Sequence, residues 1–447
     1  MSKTNYLFSF IKYIQPVWYF NLKAQREYWP DYNSLSEDDK QMIRYDDQYT
    51  TEKAALCDAA YQAIHKGIVA GNDNESLIPQ KSVNTVIDNY RFIRKYNHPI
   101  WSVYVLVIRL LHFQSPVAEI KAFTKCRKIK RNNLIDVFKI YDDYTNYHSQ
   151  LVESSPLVTV IIPTLNRYDF LHNTLKDFEK QDYKNFEIIV ADQSDHFEIE
   201  FYKKYDLKLK VHHLAQKGVW NARNFAVKKA SGDIIALSED DVRIQPNWIR
   251  EHLKCLCYFD ADISAGVFYP EGGAIPGEKS FFKPADQFAT GNAMLYKRVF
   301  LSTGLFDKQF ERQRMGDGEF GLRSYLLGYR SINNPIASCV DVKASTGGFR
   351  EFGVWDAFRS SHIFSPRPVP SVLYLTRKYY GRSASLWYLL LNIPLSVIPY
   401  KYKNEKYLRI LGLFLFILLL PLIIIQVIQS WIKSGEMIKN GPLIETL

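Results

Sequence analysis

The chain has 447 residues, of which 47% are hydrophobic and 15% aromatic, enough for more than one packed core, and this excludes a disordered protein. A formal charge of +10 points to an anionic neighbour, whether nucleic acid, phosphorylated substrate or acidic lipid surface. Five scattered cysteines (Cys57, Cys126, Cys255, Cys257 and Cys339) fit a reducing compartment and no disulfide framework, and Cys255 and Cys257 fall in an apolar helical pattern that marks them as core residues.

Residues 6–20 are aromatic and apolar but interrupted by Lys12, with no small-residue cleavage site, which argues against a signal peptide and leaves room for an interfacial foot. Ser36 followed by Glu37, Asp38 and Asp39 predicts a helix start with an N-cap and an acidic first turn. Helices are expected over about 52–67, 80–96 and 100–113, the last densely apolar yet too short to span a membrane. The cluster Lys125, Arg127, Lys128, Lys130 and Arg131 reads as a solvated helix face or as a contact for anionic headgroups. Residues 1–150 thus form a helical N-terminal region.

At Leu157 the pattern changes to alternating strands and helices, the signature of a parallel sheet with crossovers, and a domain is expected over 151–350. Strands are predicted at 158–163, 186–191 and 234–237. Leu171, Leu175 and Phe178 mark one crossover helix, and Val219, Ala222, Ala226 and Ala230 a second. Ligands bind beyond the carboxyl ends of such strands. Three strands here end in polar residues: Pro163-Thr164-Leu165-Asn166-Arg167, Asp192-Gln193-Ser194-Asp195, and the triplet Glu239-Asp240-Asp241. Carboxylates at a strand end suit Mn²⁺ or Mg²⁺, which take one or two protein oxygens and complete their shell with substrate phosphates. Gly218 allows a close turn before a helix carrying Arg223 and Asn224, where a cation and amide donors could meet a diphosphate. There is no Walker-type lysine loop and no Gly-x-Gly-x-x-Gly fingerprint after the first strand, so phosphate binding is expected to run through the metal. Farther on, Gly316-Asp317-Gly318-Glu319 opens a helix and offers a carboxylate to take a proton from an acceptor hydroxyl.

Residues 351–407 read as an extension whose apolar run 386–399, broken by Pro394, suits the membrane interface. From 410 to 428 the sequence is apolar except for Gln426, and 19 helical residues reach about 28 Å, so a membrane helix is expected over 408–431, followed by a tail at 432–447. Lys401, Lys403, Lys406 and Arg409 precede it and place that side in the cytoplasm, although Lys433 and Lys439 follow. Pro421 leaves a kinked span and a re-entrant hairpin both open.

Taken in order, Val160-Ile161-Ile162-Pro163-Thr164-Leu165-Asn166-Arg167, Ile188-Ile189-Val190-Ala191-Asp192, Gly218 with Ala222-Arg223-Asn224, Gly232-Asp233, the acidic triplet, Gly291-Asn292-Ala293-Met294, Gly304-Leu305-Phe306-Asp307 and Asp317-Gly318-Glu319-Phe320-Gly321-Leu322-Arg323 resemble the family 2 inverting glycosyltransferases of GT-A fold. The resemblance covers somewhat under half of the chain. It implies an α/β fold with a Rossmann-like mixed sheet, flanked here by the N-terminal helices and the C-terminal membrane helix. It implies that Pro163, Thr164, Asn166, Arg167, Asp192, Gly218, Arg223, Glu239 and Asp240 hold a nucleotide-diphosphate sugar donor, that Asp241 and Asp341 bind Mn²⁺ or Mg²⁺, that Asp317 is the base, and that Gly291, Asn292, Glu319 and Arg323 lie on the acceptor side. The chain departs from the family at Glu239, usually Asp, at Gly316, commonly Glu, and at Asp341, where many members have His. No Gln-x-x-Arg-Trp motif of processive synthases is present. The implied activity is single glycosyl transfer to a saccharide or lipid-linked acceptor in cell-surface polysaccharide assembly, at the cytoplasmic membrane, with membrane lipids and no nucleic acid polymer as partners. The departures at Gly316 and Asp341 also admit an inactive nucleotide-sugar-binding scaffold. A nucleotidyltransferase would need a Gly-rich basic loop that residues 164–167 do not supply.

Overall fold

The computed structural model describes residues 4–26, 29–70, 84–344, 348, 356–359, 362–402 and 405–447. The expected helix start at 80, Lys403 of the basic cluster and Ser345-Thr346-Gly347 lie outside them. The chain divides into two compact units: Met1–Ile140 with Tyr379–Leu391, and Tyr141–Lys378 with Asn392–Leu447. The first unit ends its leading segment at Ile140, ten residues before the expected end of the helical region.

The first unit is helical. Ser36 caps Glu37–Met42 by accepting from the Asp39 amide at 3.2 Å, and longer helices run Glu52–His65, Val86–Tyr96, Pro99–Leu111 and Pro116–Cys126. One core packs Phe10, Tyr13, Tyr90, Ile93, Val105, Ala122 and Cys126 together. Buried Asp58 is satisfied by the hydroxyls of Tyr49 and Tyr96 at 3.0 and 2.7 Å and by Lys95 at 2.6 Å, so its charge is paired rather than stranded.

The second unit is built on a mixed sheet of nine strands: β1 (Val158–Thr164), β2 (Phe186–Asp192), β3 (Leu209–His213), β4 (Ile234–Ser238), β5 (Val242–Ile244), β6 (Ile263–Pro270), β7 (Lys283–Pro284), β8 (Asn292–Tyr296) and β9 (Ser331–Asp341). The order is β3-β2-β1-β4-β8-β6-β9-β5, with β7 on β9. β1 to β4 are parallel and covered on both faces, which is why β1, β2 and β4 read as unbroken apolar runs and are buried throughout. β8 then runs antiparallel between β4 and β6. The helix Val219–Lys229 packs on β1 and β2, and Trp248–Tyr258 packs on β6, β8 and β9. β1 pairs with β4 only through Ile161, whereas its pairing with β2 continues to Thr164 opposite Asp192. Pro163, which has no amide hydrogen to give, sits where β1 and β4 part. In sheets of this kind the carboxyl ends of two strands that part in this way are where a ligand is expected.

The C-terminal apolar run is two helices, Lys406–Leu418 and Leu420–Asn440, bent by 80° at Leu419. Pro421 falls in the first turn of the second, where a missing amide hydrogen costs least. No single helix among the described residues is long and apolar enough to cross a membrane.

Candidate active site

The acidic turn after β4 folds against the turn after β1. Thr164 Oγ1 donates to Asp240 Oδ2 at 2.8 Å, and Arg167 Nη1 donates to Asp240 Oδ1 and Asp241 Oδ2, each at 3.1 Å. The Ala344 amide adds a 3.2 Å bond to Asp241 Oδ2, and Thr174 Oγ1 ties the backbone carbonyls of Asp240 and Val242 at 2.9 Å. Asp240 and Asp241 are only 4% and 3% exposed. Burial, reinforced by the charge of Asp241, pushes the Asp240 carboxyl up to about 7 against the pull of Arg167 and Thr164. Two buried carboxylates share one guanidinium, an excess of negative charge that a hard divalent cation would relieve. Among the described residues none donates a hydrogen bond to Asp241 Oδ1, which is the oxygen left for such an ion. Asp341 ends β9 opposite Val242, the neighbour of Asp241, with Oδ1 taking the Lys343 amide at 3.1 Å. Among the described residues no group of three or more His, Cys, Asp or Glu side chains could hold a metal alone. The donor set therefore fits Mn²⁺ or Mg²⁺ only as an ion that takes the rest of its ligands from substrate phosphate and water.

A second wall faces this turn. Arg223, 2% exposed, donates through Nη2 to Glu239 Oε1 at 3.3 Å and to the Thr290 carbonyl at 3.2 Å. Burial lowers its pKa, and the carboxylates of Glu239, Asp317 and Asp240 act in the opposite direction, so all three lie within electrostatic reach of this guanidinium. Asp317 is half-buried in the first turn of the helix Gly316–Leu326, where its Oδ1 accepts from the Gly318 amide at 2.8 Å. Gly291 is required beside Glu239, because a Cβ there would lie 2.6 Å from the Glu239 carboxyl carbon. Gly316 has a similar cause: a Cβ would lie 2.4 Å from the Trp220 ring, whose Nε1 donates to the Phe310 carbonyl at 3.0 Å. The indole fills the place beside Asp317 that a longer side chain at Gly316 would otherwise take.

Several expected site residues are held elsewhere. Asn292 is fully buried and bonds in four directions: its Oδ1 accepts from Trp248 and meets His252, and its Nδ2 donates to the carbonyls of Val267 and Ala337. It cross-links the sheet and cannot face an acceptor. Glu319 is also fully buried, pairing with Arg323 at 3.0 Å and Lys378 at 3.2 Å, while Arg323 donates to the carbonyls of Thr303 and Leu305. Those two residues lock a loop to the helix of Asp317 rather than line the acceptor side. Gly218 makes room for the Glu311 carboxylate, which accepts from the amides of Trp220 and Asn221 at 3.1 Å. The helix N-terminus expected to receive a diphosphate is thus capped by the chain itself. Asn224 pairs both amide ends with the backbone of Phe306 at 2.9 Å. Asp192 is buried, accepting from Tyr168 and Tyr202 at 2.7 Å and from the Ser194 amide at 2.8 Å. Asn166, at φ +55°, is exposed and exchanges hydrogen bonds with Asp195 at 2.9 Å. A cleft of about 830 Å³ opens at this turn, lined by Asn166, Tyr168, His172, Asp195 and Lys204 among others.

Trp220, Glu311, Tyr168, Tyr202 and Gly348 were not foreseen. Gly348, at φ +77°, lies so close to Arg167 that a Cβ would fall 2.2 Å from the guanidinium carbon. Only its position after the acidic residues could have signalled it; nothing local pairs Glu311 with Gly218.

Residues 159–308 match the family described as Glycosyl transferase family 2. Glycosyltransferase GlyA of Streptococcus pneumoniae is 26% identical over 162 residues, 35% of this chain and 22% of that protein. The Escherichia coli chondroitin synthase is 24% identical over 252 residues, 44% of this chain and 36% of that protein. The chain thus spans well under half the length of these relatives. Among solved structures, S. aureus TarS in complex with UDP-GlcNAc aligns over 58% of this chain and 71% of its own, at 18% identity and a TM-score of 0.40.

Proposed function

We propose, from the premise that the chain carries a family 2 glycosyltransferase domain at residues 159–308, that it transfers a glycosyl group with inversion from a nucleoside-diphosphate sugar to a saccharide or lipid-linked acceptor. The observation that carries this reading is the acidic turn after β4, where buried Asp240 and Asp241 share the Arg167 guanidinium, together with a separate carboxylate, Asp317, in the first turn of the helix Gly316–Leu326. Asp317 takes the proton from the acceptor hydroxyl. The freed oxygen attacks the anomeric carbon as the bond to the diphosphate breaks on the opposite face, and inversion follows from the single displacement. Asp241, with Asp240 and Asp341 behind it, would hold Mn²⁺ or Mg²⁺, which when bound supplies positive charge to the leaving diphosphate. Arg167 keeps the two turn carboxylates together, and Arg223 orients Glu239. The nucleoside is assigned to the place where β1 and β4 part, with Thr164 and Asn166 at its edge and Asp192 as the buttress beneath.

The likeness to a chondroitin synthase supports a role in polysaccharide assembly, the exposed apolar C-terminal helices support attachment to a membrane, and the basic residues Lys401, Lys403, Lys406 and Arg409 before them support a cytoplasmic side for the domain. The test is release of nucleoside diphosphate from a panel of sugar nucleotides by the full chain with Mn²⁺ and membrane-extracted acceptor. Asp317→Asn should bind donor, seen as thermal stabilisation, while turnover falls at least 100-fold, the lower end for loss of a general base. Wild-type turnover by that variant would remove Asp317 from the mechanism.

A further inference from the structure

The second C-terminal helix, Leu420–Asn440, is amphipathic in reverse. Its polar stripe, Gln426, Ser430 and Ser434 at helical spacing, is buried, while Ile424, Ile425, Ile428 and Ile432 are exposed. The buried face is fixed to the domain along its length. The Arg367 amide donates to the Gln426 carbonyl at 3.1 Å, Gln426 Nε2 donates to the Ile363 carbonyl, and Arg377 Nη1 donates to the Trp431 carbonyl at 2.6 Å and to Ser434 Oγ at 2.7 Å. After Gly441 the chain returns to the catalytic segment. The Leu443 amide donates to Asp307 Oδ1 at 3.0 Å, the Leu305 amide donates to the Glu445 carbonyl at 2.8 Å, and Glu445 pairs with Lys228 at 2.9 Å and with Lys308.

The first helix, Lys406–Leu418, exposes Ile410, Leu411, Leu413, Phe414, Leu415, Ile417 and Leu418. At roughly 100° per residue these cover about 200° of its circumference, twice the stripe a helix shows when it packs on one protein face. Its opposite side, at Gly412, rests on Ile398. So broad an apolar arc suits a fluid hydrocarbon rather than a protein groove. Thirteen residues give about 20 Å, short of a hydrocarbon core of about 30 Å but more than one leaflet. Exposed Lys406, Arg409, Lys433 and Lys439 outnumber exposed Glu405 and Glu436, which favours anionic headgroups.

We propose that the two helices form a monotopic wedge that enters one leaflet of a bilayer and returns, leaving residues 441–447 on the same side as the acidic turn and Asp317. This rests on the reading of a membrane-attached transferase and settles its topology: the chain does not cross at 406–440. Because the returning tail grips Gly304–Lys308, and Arg323 ties Leu305 to the helix of Asp317, the wedge also sets the height of the base above the leaflet, as an acceptor held in that leaflet would require.

The test uses the full chain in sealed vesicles of phosphatidylethanolamine and phosphatidylglycerol, in a Cys257→Ser background, with a membrane-impermeant maleimide. Thr446→Cys should label to the same extent as Lys180→Cys, an exposed position on the catalytic unit, before the vesicles are opened. Labelling of Thr446→Cys only after opening would overturn the wedge. Independently, Phe414→Asp with Ile425→Asp should cut co-flotation with these vesicles at least tenfold while diphosphate release in detergent persists; undiminished flotation would also overturn it. Absence of release from every form, wild type included, would count against glycosyl transfer and leave labelling and flotation to decide the wedge.

Discussion

Two carboxylates two positions apart show how little a residue's type says about its work. Asp317 is half-buried within electrostatic reach of Arg223; Glu319 is sealed between Arg323 and Lys378. Glu319→Ala should therefore cost about 3–5 kcal/mol of stability, because it strands two cations in a buried site. A denaturant titration checks this, and a loss below 1 kcal/mol would put Glu319 outside the frame. Asp317→Asn should leave the same titration within about 0.5 kcal/mol of wild type, as expected away from buried networks. The sequence displayed both acids in one motif and could not separate them, since the difference lies in Arg323 reaching back to Thr303 and Leu305 and in Lys378 arriving from a later helix. Gly316 is a related case. It stood out as a departure, and its cause is the Trp220 ring 2.4 Å from where a Cβ would be. Gly316→Ala should cost about 1–3 kcal/mol by overpacking and lower kcat by displacing the helix that carries the base. Trp220→Phe in the same chain should recover part of both, which thermal melting and single-turnover rates would show.

Elements were legible in proportion to how fully they are buried. β1, β2 and β4 stand out as apolar runs because helices cover both faces, and the crossover helices show their spacing of three and four. β3 was missed because it lies at the sheet edge with Lys210, His212 and His213 in it. β9 was missed because Asn333, Asn334 and Pro335 interrupt it, and only its pairing with β5, β6 and β7 makes it a strand. The spacing of three and four marks the helix Val219–Lys229, but nothing in it shows that its N-terminus is occupied. It is closed by Glu311, whose carboxyl is raised by burial and held down by the amides it accepts. Glu311→Ala should cost about 1–2 kcal/mol, the scale of a lost cap in a partly buried setting. Gly218→Ala should reproduce the loss, because its Cβ would occupy the carboxylate's place. Should Glu311→Ala instead bind nucleoside diphosphate more tightly with unchanged melting temperature, the carboxylate would be a competitor for the phosphate site rather than a cap.

At the scale of the molecule, composition announces a basic, aromatic chain, and the sequence displays the apolar run at 410–428, but not the 80° bend at Leu419. Stability of the whole fold carries one sharp pH signature. His252 is fully buried where Trp248–Tyr258 crosses the sheet, its Nδ1 2.8 Å from Ser264 Oγ and its Nε2 3.0 Å from Asn292 Oδ1. An amide oxygen can only accept, so Nε2 carries the proton and Nδ1 receives the Ser264 hydroxyl. Burial disfavours the charged ring and lowers the His252 pKa to about 4 from an ordinary 6.5. A depressed histidine favours folding wherever it is neutral. Its contribution is complete above about 6.5 and drains away as the pH falls toward about 4, in all about 3 kcal/mol. Asp240 works the other way across the same range, because its raised carboxyl makes the fold lose stability as the pH climbs toward about 7. The two slopes oppose, so a single melting curve against pH would understate both. The comparison that separates them is wild type against His252→Gln, which keeps a donor and an acceptor but does not titrate. The difference in unfolding free energy between the two should shrink by about 2 kcal/mol between pH 7 and pH 5, as wild type loses what the variant never had. A constant difference across that interval would mean that water or a moving neighbour already solvates the ring, and that the Asn292 cross-link is looser than its four hydrogen bonds describe.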